Sequence, residues 1–226
     1  MKTSCCAAAA LVAASLKTCI AEHSVATAQQ KITAFGAEDF MYNLGGPEPE
    51  YPVDGIESRS ANLNVLPALE GQGVSMTLVN LDACTINLPH VHPRATEMLY
   101  MIQGDLTSAF VEENGGEGAV VNHITQGDVA FFPQGLIHYQ QNLGCYPATF
   151  LAALNNEDPG VVTITTRFYD LPSEAIQASL NFEEPELQAL IAALPETPAR
   201  ARRHCLEQCG LPVDSGSNPN RRRLRA

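Results

Sequence analysis

His90 and His92 lie two residues apart in a run of β character, so their imidazoles leave an extended chain on the same side. Glu97 follows the turn-prone stretch Pro93-Arg94-Ala95-Thr96, at the head of the next extended run. Much later, Pro133-Gln134-Gly135 makes a tight turn that delivers His138 at the start of another. Three imidazoles and one carboxylate arriving from three strands suit Mn, Fe, Ni, Cu or Zn, and they leave two positions free on an octahedral ion. Those free positions are where chemistry occurs. Three neutral imidazoles and one ionised Glu also leave a dication with a single net positive charge. His23, His123 and His204 lack comparable neighbours and read as surface or loop residues.

The elements that must position these donors are short. Between about residues 60 and 168 the chain alternates β-type runs with turn signals, and it carries neither a long 3.6-residue period nor a repeat. The expected strands are Val74–Leu81, Ile86–Val91, Glu97–Ile102, Leu106–Glu112, Val120–Ile124, Asp128–Phe132, His138–Gln141, Ala148–Leu154 and Val161–Phe168. Gly104-Asp105, Asn114-Gly115-Gly116, Gly127-Asp128 and Asp158-Pro159-Gly160 punctuate them. The core is therefore all-β, closed as a sandwich or barrel. After Leu171-Pro172 the residues change to helix formers, over Ser173–Leu180, Glu183–Leu194 and Pro198–Gln208. The Gly- and Pro-rich stretch 43–55 reads as an irregular lead-in.

With 226 residues, 45% of them hydrophobic, the chain can bury one sizeable core. Lys and Arg number 13 against 25 Asp and Glu, a formal net charge of −12 that speaks against a nucleic-acid partner. Between residues 22 and 199 only Lys31, Arg59, Arg94 and Arg167 are basic, whereas Arg200, Arg202, Arg203, Arg221, Arg222, Arg223 and Arg225 crowd the C-terminus. An anionic substrate approaching so acidic a body needs a local cation, which a bound metal supplies.

Residues 1–21 begin with Lys2, pass through the small apolar run Cys5–Ala14 and reach Cys19-Ile20-Ala21, the pattern of a cleaved secretory signal. That run is shorter than the roughly 20 residues needed to cross a bilayer, so no membrane anchor is expected. Cleavage would leave Cys84, Cys145, Cys205 and Cys209, an even set suited to an oxidising compartment.

The stretch His90-Val91-His92-Pro93-Arg94-Ala95-Thr96-Glu97, followed by Gly104, resembles the first motif of the germin-like branch of the cupin superfamily. Gly127, Pro133-Gln134-Gly135, His138 and Asn142 match its second motif. The resemblance covers roughly residues 30 to 195 and is closest to spherulin-type germin-like proteins. It implies a cupin jelly-roll β-barrel with a C-terminal helical extension, Mn(II) held by His90, His92, Glu97 and His138, secretion, and assembly as a homo-oligomer. The expected organisation is a signal peptide at 1–21, a lead-in at 22–60, the barrel at 61–170, helices at 171–210 and a flexible basic tail at 211–226.

The family motif opens with a Gly six residues before its first His, where this chain has Cys84. If the strand of His90 and His92 pairs antiparallel with that of His138, Cys84 stands opposite Cys145, and a Cys84–Cys145 disulfide is expected. Cys205 and Cys209 are four apart on an expected helix, and either a mutual bridge where the helix ends or an intersubunit bridge is open to them.

Germin-like proteins are associated with oxalate oxidation and with manganese-dependent superoxide dismutation. Oxalate-handling members carry two asparagines near the metal; Asn87 matches one, but Thr77 stands where the other would be and has no amide NH2 for a carboxylate oxygen. Superoxide dismutation needs no such amide and is the favoured reading, with a small anionic or oxygen-derived substrate. Gln140 shares the strand face of His138 and is a candidate hydrogen-bond partner beside the metal. Arg94 reads as a structural ion-pair partner beside the site. The alternative is a non-catalytic extracellular cupin that binds a cell-wall or surface component.

Overall fold

The computed structural model describes residues 27–46, 51–53, 55–194, 199–201 and 203–213. The expected signal peptide, His23 and the tail from residue 214 lie outside the described residues. Two compact units are present, Met1–Met41 and Tyr42–Ala226. In the first, helix α1 (Ala28–Thr33) is capped reciprocally: the Gln30 backbone N–H donates to Thr27 Oγ1 and the Thr27 N–H to Gln30 Oε1. A single 3-10 turn, Ala37–Phe40, follows.

Among its described residues the second unit holds twelve strands: β1 (Tyr51–Val53), β2 (Ile56–Ala61), β3 (Ser75–Leu81), β4 (Thr85–Val91), β5 (Glu97–Gln103), β6 (Asp105–Val111), β7 (Ala119–Thr125), β8 (Val129–Phe132), β9 (His138–Gln141), β10 (Ala148–Leu154), β11 (Val162–Thr163) and β12 (Ala199–Ala201). They form two antiparallel sheets, ordered β1-β2-β3-β10-β5-β8 and β11-β4-β9-β6-β7, with β12 also paired to β4. This is the expected jelly-roll architecture.

Alternation along the strands builds the core. In β10, Ala148, Phe150, Ala152 and Leu154 point inward, and in β5 the inward set is Glu97, Leu99 and Met101. Leu81, Leu106 and Phe132 complete the same cluster. Burying a Leu, Met or Phe side chain contributes about 1.5–3 kcal/mol. Glu97 is thus carried into the interior by the same period that buries its hydrophobic neighbours.

Four readings are corrected. Residues 43–55 are not all irregular lead-in: β1 lies among them, and with β2 it turns tightly about Gly55 (φ +87°) and adds two strands to the first sheet. The β-type run from Val161 to Phe168 yields only the two residues of β11, then coils into helix α2 (Ile164–Arg167). β11 pairs with Val91 and His90, so the next residue would face Pro89, which has no N–H and lies in a stretch of β4 where the register shifts. Further on, α3 (Ser173–Leu180) and α4 (Glu184–Ala192) fall where expected. Residues 199–201 instead extend as β12 against Thr85–Asn87, and only α5 (Arg203–Gln208) is helical, because the free edge of β4 outweighs local helix propensity.

The fourth correction is the disulfide. Cys84 bonds Cys205 and Cys145 bonds Cys209, with Cα separations of 5.5 and 5.3 Å. The ladder of β9 against β4 ends at Gln141, and the Leu143-Gly144 turn takes Cys145 out of register with Cys84. The cysteines of α5 and the turn after it reach across to both, so one C-terminal segment is pinned twice at the barrel rim. The two bridges touch, with Cys84 Sγ 3.7 Å from Cys209 Sγ. Among the described residues, no helix is long and apolar enough to cross a membrane.

Candidate metal centre

β4 ends in Val91, so His90 is its last residue but one and His92 stands just beyond it; Glu97 opens β5 and His138 opens β9. His90 and His138 are register partners. One donor atom from each of His90, His92, Glu97 and His138 lies within 4.8 Å of the other three, inside the barrel. The structure therefore gathers all four residues that the spacing singled out.

Tautomers follow from the partners of Nδ1. His90 Nδ1 is 2.8 Å from the Leu88 carbonyl, His138 Nδ1 is 2.9 Å from that of Leu136, and His92 Nδ1 is 2.6 Å from that of Gly160. A carbonyl oxygen only accepts, so each Nδ1 carries the proton and each neutral ring turns the bare lone pair of Nε2 toward the centre. His92 Nε2 lies 2.9 Å and His138 Nε2 3.5 Å from Glu97 Oε2. His138 Nε2 is buried without a hydrogen-bond partner. Lone pairs and a carboxylate converging in a buried space need a cation among them, and a divalent metal fits. Phe132 stacks on the His138 ring at 4.7 Å between centroids and closes that side to water.

The electrostatics agree. Burial, with the neighbouring His138 as a further cause, lowers the His90 pKa to about 4, so this ring is neutral at physiological pH. Burial works to raise Glu97, yet the imidazoles of His138 and His92 facing it hold the carboxyl well below its ordinary range. Burial also opposes charge on His92, but its contact with Glu97 prevails and raises it.

Of the remaining candidates, Asn87 and Gln140 sit beside these donors. Asn87 and His90 are three apart, a spacing that puts residues of a regular strand on opposite faces. The register shift between them returns Asn87 to the side of His90, where its Nδ2 donates to Gln140 Oε1 at 2.8 Å. Gln140 is buried, and its Nε2 has no partner. The Thr77 hydroxyl lies 2.9 Å from that of Ser60. Arg94 pairs with Asp158 at 2.9 Å. His123 and His204 are exposed and outside the cluster. Ser108, opposite Gln140 in register and buried without a hydroxyl partner, had no signal in the sequence. The carbonyls that fix the imidazoles were equally silent, since any residue supplies one.

Comparison with known proteins agrees with this arrangement. The family described as Cupin matches residues 42–188. The chain is 42% identical over 147 residues to Spherulin-1B of Physarum polycephalum, covering 64% of this chain but only 58% of that protein's length. It is 33% identical over 160 residues to the probable germin-like protein subfamily 2 member 5 of Arabidopsis thaliana, covering 70% of this chain and 74% of the relative. A recombinant oxalate oxidase solved with glycolate shares the fold with a TM-score of 0.65 at 23% identity, over 71% of this chain and 83% of that one. On its barrel, its convergent donors and these relatives, the chain belongs to the germin-like cupins.

Proposed function

We propose that this chain is a secreted, manganese-binding oxidoreductase that acts on a small oxygen-derived substrate, superoxide dismutation being favoured over oxalate oxidation. The observation that carries the reading is the donor set: three Nε2 atoms freed by carbonyl-bound Nδ1 protons, facing an ionised Glu97. Nitrogen and carboxylate donors suit manganese, and bound there the ion would supply one-electron cycling between two oxidation states. His90, His92 and His138 would hold it, and Glu97 would neutralise one of its charges. Gln140 Nε2 offers a buried donor to a water or substrate oxygen beside His138. Phe132 excludes water behind His138.

The choice between substrates rests on Thr77 and Asn87. The Thr77 hydroxyl is engaged with Ser60, and the Asn87 amide nitrogen is engaged with Gln140. Neither presents a free amide pair to the two ends of a dicarboxylate, whereas superoxide needs only an open position and a proton source. Two disulfides and the expected signal segment support secretion.

A homo-oligomer is part of the proposal. Met98 faces Phe131 and Tyr100 faces Val129 across β5 and β8, and all four are exposed on the outer surface of the first sheet. Contiguous apolar surface of this kind marks an interaction site.

The test is metal analysis of the purified full-length protein, followed by assays of superoxide removal and of peroxide release from oxalate. About one manganese per chain with superoxide removal is the expected result. Retained metal with neither activity would favour the non-catalytic binding reading.

A further inference from the structure

His90 and His138 orient themselves locally, each through the carbonyl two residues earlier in its own segment. His92 does not. It lies past the end of β4, and its Nδ1 partner is the Gly160 carbonyl, 68 residues further along the chain. We infer that the turn Asp158-Pro159-Gly160, latched by Arg94, is the positioning element that holds the His92 ring in place and so completes the donor set.

The latch is specific. The Arg94 backbone N–H donates to the Pro159 carbonyl at 3.2 Å, and its Nε donates to the Asp158 carbonyl at 2.6 Å. Its Nη2 pairs with Asp158 Oδ2 at 2.9 Å. The guanidinium lies against Gly160 itself: a Cβ there would come within 2.8 Å of Arg94 Nη2 and 3.1 Å of Pro93 Cγ, and φ is +66°. Only glycine allows this approach without strain. The other end of the segment is held as firmly. The Thr96 N–H donates to Asn155 Oδ1, the Ser75 hydroxyl to the Asn156 carbonyl, and the N–H groups of Gly71 and Gly73 to the Glu157 carboxylate.

The exposed Arg94–Asp158 ion pair adds little stability by itself, since both side chains are about half or more in solvent. Its effect is on geometry. Without the Gly160 carbonyl, His92 Nδ1 loses its partner and the ring is free to turn, while His90 and His138 keep the carbonyls of their own segments. A ring turned away withdraws one nitrogen donor. The turn therefore decides whether three imidazoles or two face Glu97.

The positioning inference stands on the metal-free geometry; its consequence for affinity rests on the metal reading above. The test is NMR of solvent exchange at the imidazole Nδ1–H groups in the metal-free full-length protein. Wild type, Arg94→Ala, Asp158→Ala and, as a control at an exposed ion pair elsewhere, Arg167→Ala are compared. We expect a slowly exchanging His92 Nδ1–H in wild type and Arg167→Ala. In the two latch variants it should exchange freely, while the Nδ1–H groups of His90 and His138 stay unchanged. Manganese affinity should fall about 10–100-fold in the latch variants. Asp158→Ala keeps the question answerable if Arg94→Ala folds poorly. A His92 Nδ1–H that stays protected in both latch variants would overturn the inference. Lost protection in a protein whose wild type binds no manganese would sustain it and overturn the metal reading alone.

Discussion

Glu97 is the only anion among the four donors, and its depressed pKa means that it enters the centre charged. Glu97→Gln keeps the shape, removes that charge and puts an amide N–H2 among lone pairs. Retained metal is expected to drop by more than about a hundredfold, beyond the usual cost of losing an outer hydrogen-bond partner, as measured by metal analysis after dialysis. Acid sensitivity is set by His90. Its ordinary value of 6.5 falls to about 4 in the folded chain, so between those values the unfolded state binds more protons. Stability of the chelator-treated protein should therefore decline as pH is lowered from 6.5 to 4. Glu97, lowered on folding, loses its contribution in the same direction on further acidification. His92 is raised, so its contribution is complete below 6.5 and does not vary across that window. Urea midpoints at pH 6 and pH 5, both inside that window, test this, and equal midpoints would mean that His90 is not buried as a neutral ring. At this scale the ligand set was legible, because spacing in strands and turns displays it; the backbone carbonyls behind the rings were not, because they have no sequence signature.

Among the elements, the C-terminal segment matters most for what it closes. β12 covers the edge of β4 beside Asn87, and α5 with the turn after it is tied to the rim through Cys84 and Cys145. The Cys84–Cys205 bridge spans 121 residues, and in the chain-entropy account so long a loop contributes about 5 kcal/mol. Cys205→Ser is expected to lower the unfolding free energy by about 2–5 kcal/mol, read from denaturant melts. Peptide mapping of the oxidised protein should recover 84 with 205 and 145 with 209; recovery of 84 with 145 would refute the arrangement. A tighter constraint sits at the turn from β5 to β6, where Gly104 has φ +84° and a Cβ would meet the Ala148 backbone at 3.1 Å. Gly104→Ala should cost about 1–3 kcal/mol, visible as a lowered melting temperature. Strand positions were readable from their alternation, and β9 and β10 match their expected limits. β12 was not readable, since Ala199–Ala201 has no strand pattern and is extended only because β4 offers an unpaired edge.

For the molecule as a whole, the exposed apolar outer face of β5 and β8 contrasts with the strongly acidic composition. Replacing Tyr100 and Phe131 by Glu places charge at its centre without touching the inward set of Leu99 and Met101. If copies of the chain associate through this face, light scattering should show the wild-type oligomer fall to monomer while bound metal is unchanged. A variant that keeps the wild-type mass would place the interface elsewhere.

The sequence alone determined the all-β core, the four donors and the paired motifs that bring them together, because local periodicity and turn chemistry are written in adjacent residues. Only the tertiary structure decided how the cysteines pair, that β12 exists, and which carbonyl holds His92. Each of these depends on two segments far apart in the chain meeting at a particular height and angle. A turn of one residue more or less, as at Leu143-Gly144, changes which side chains meet, and no local pattern records that outcome.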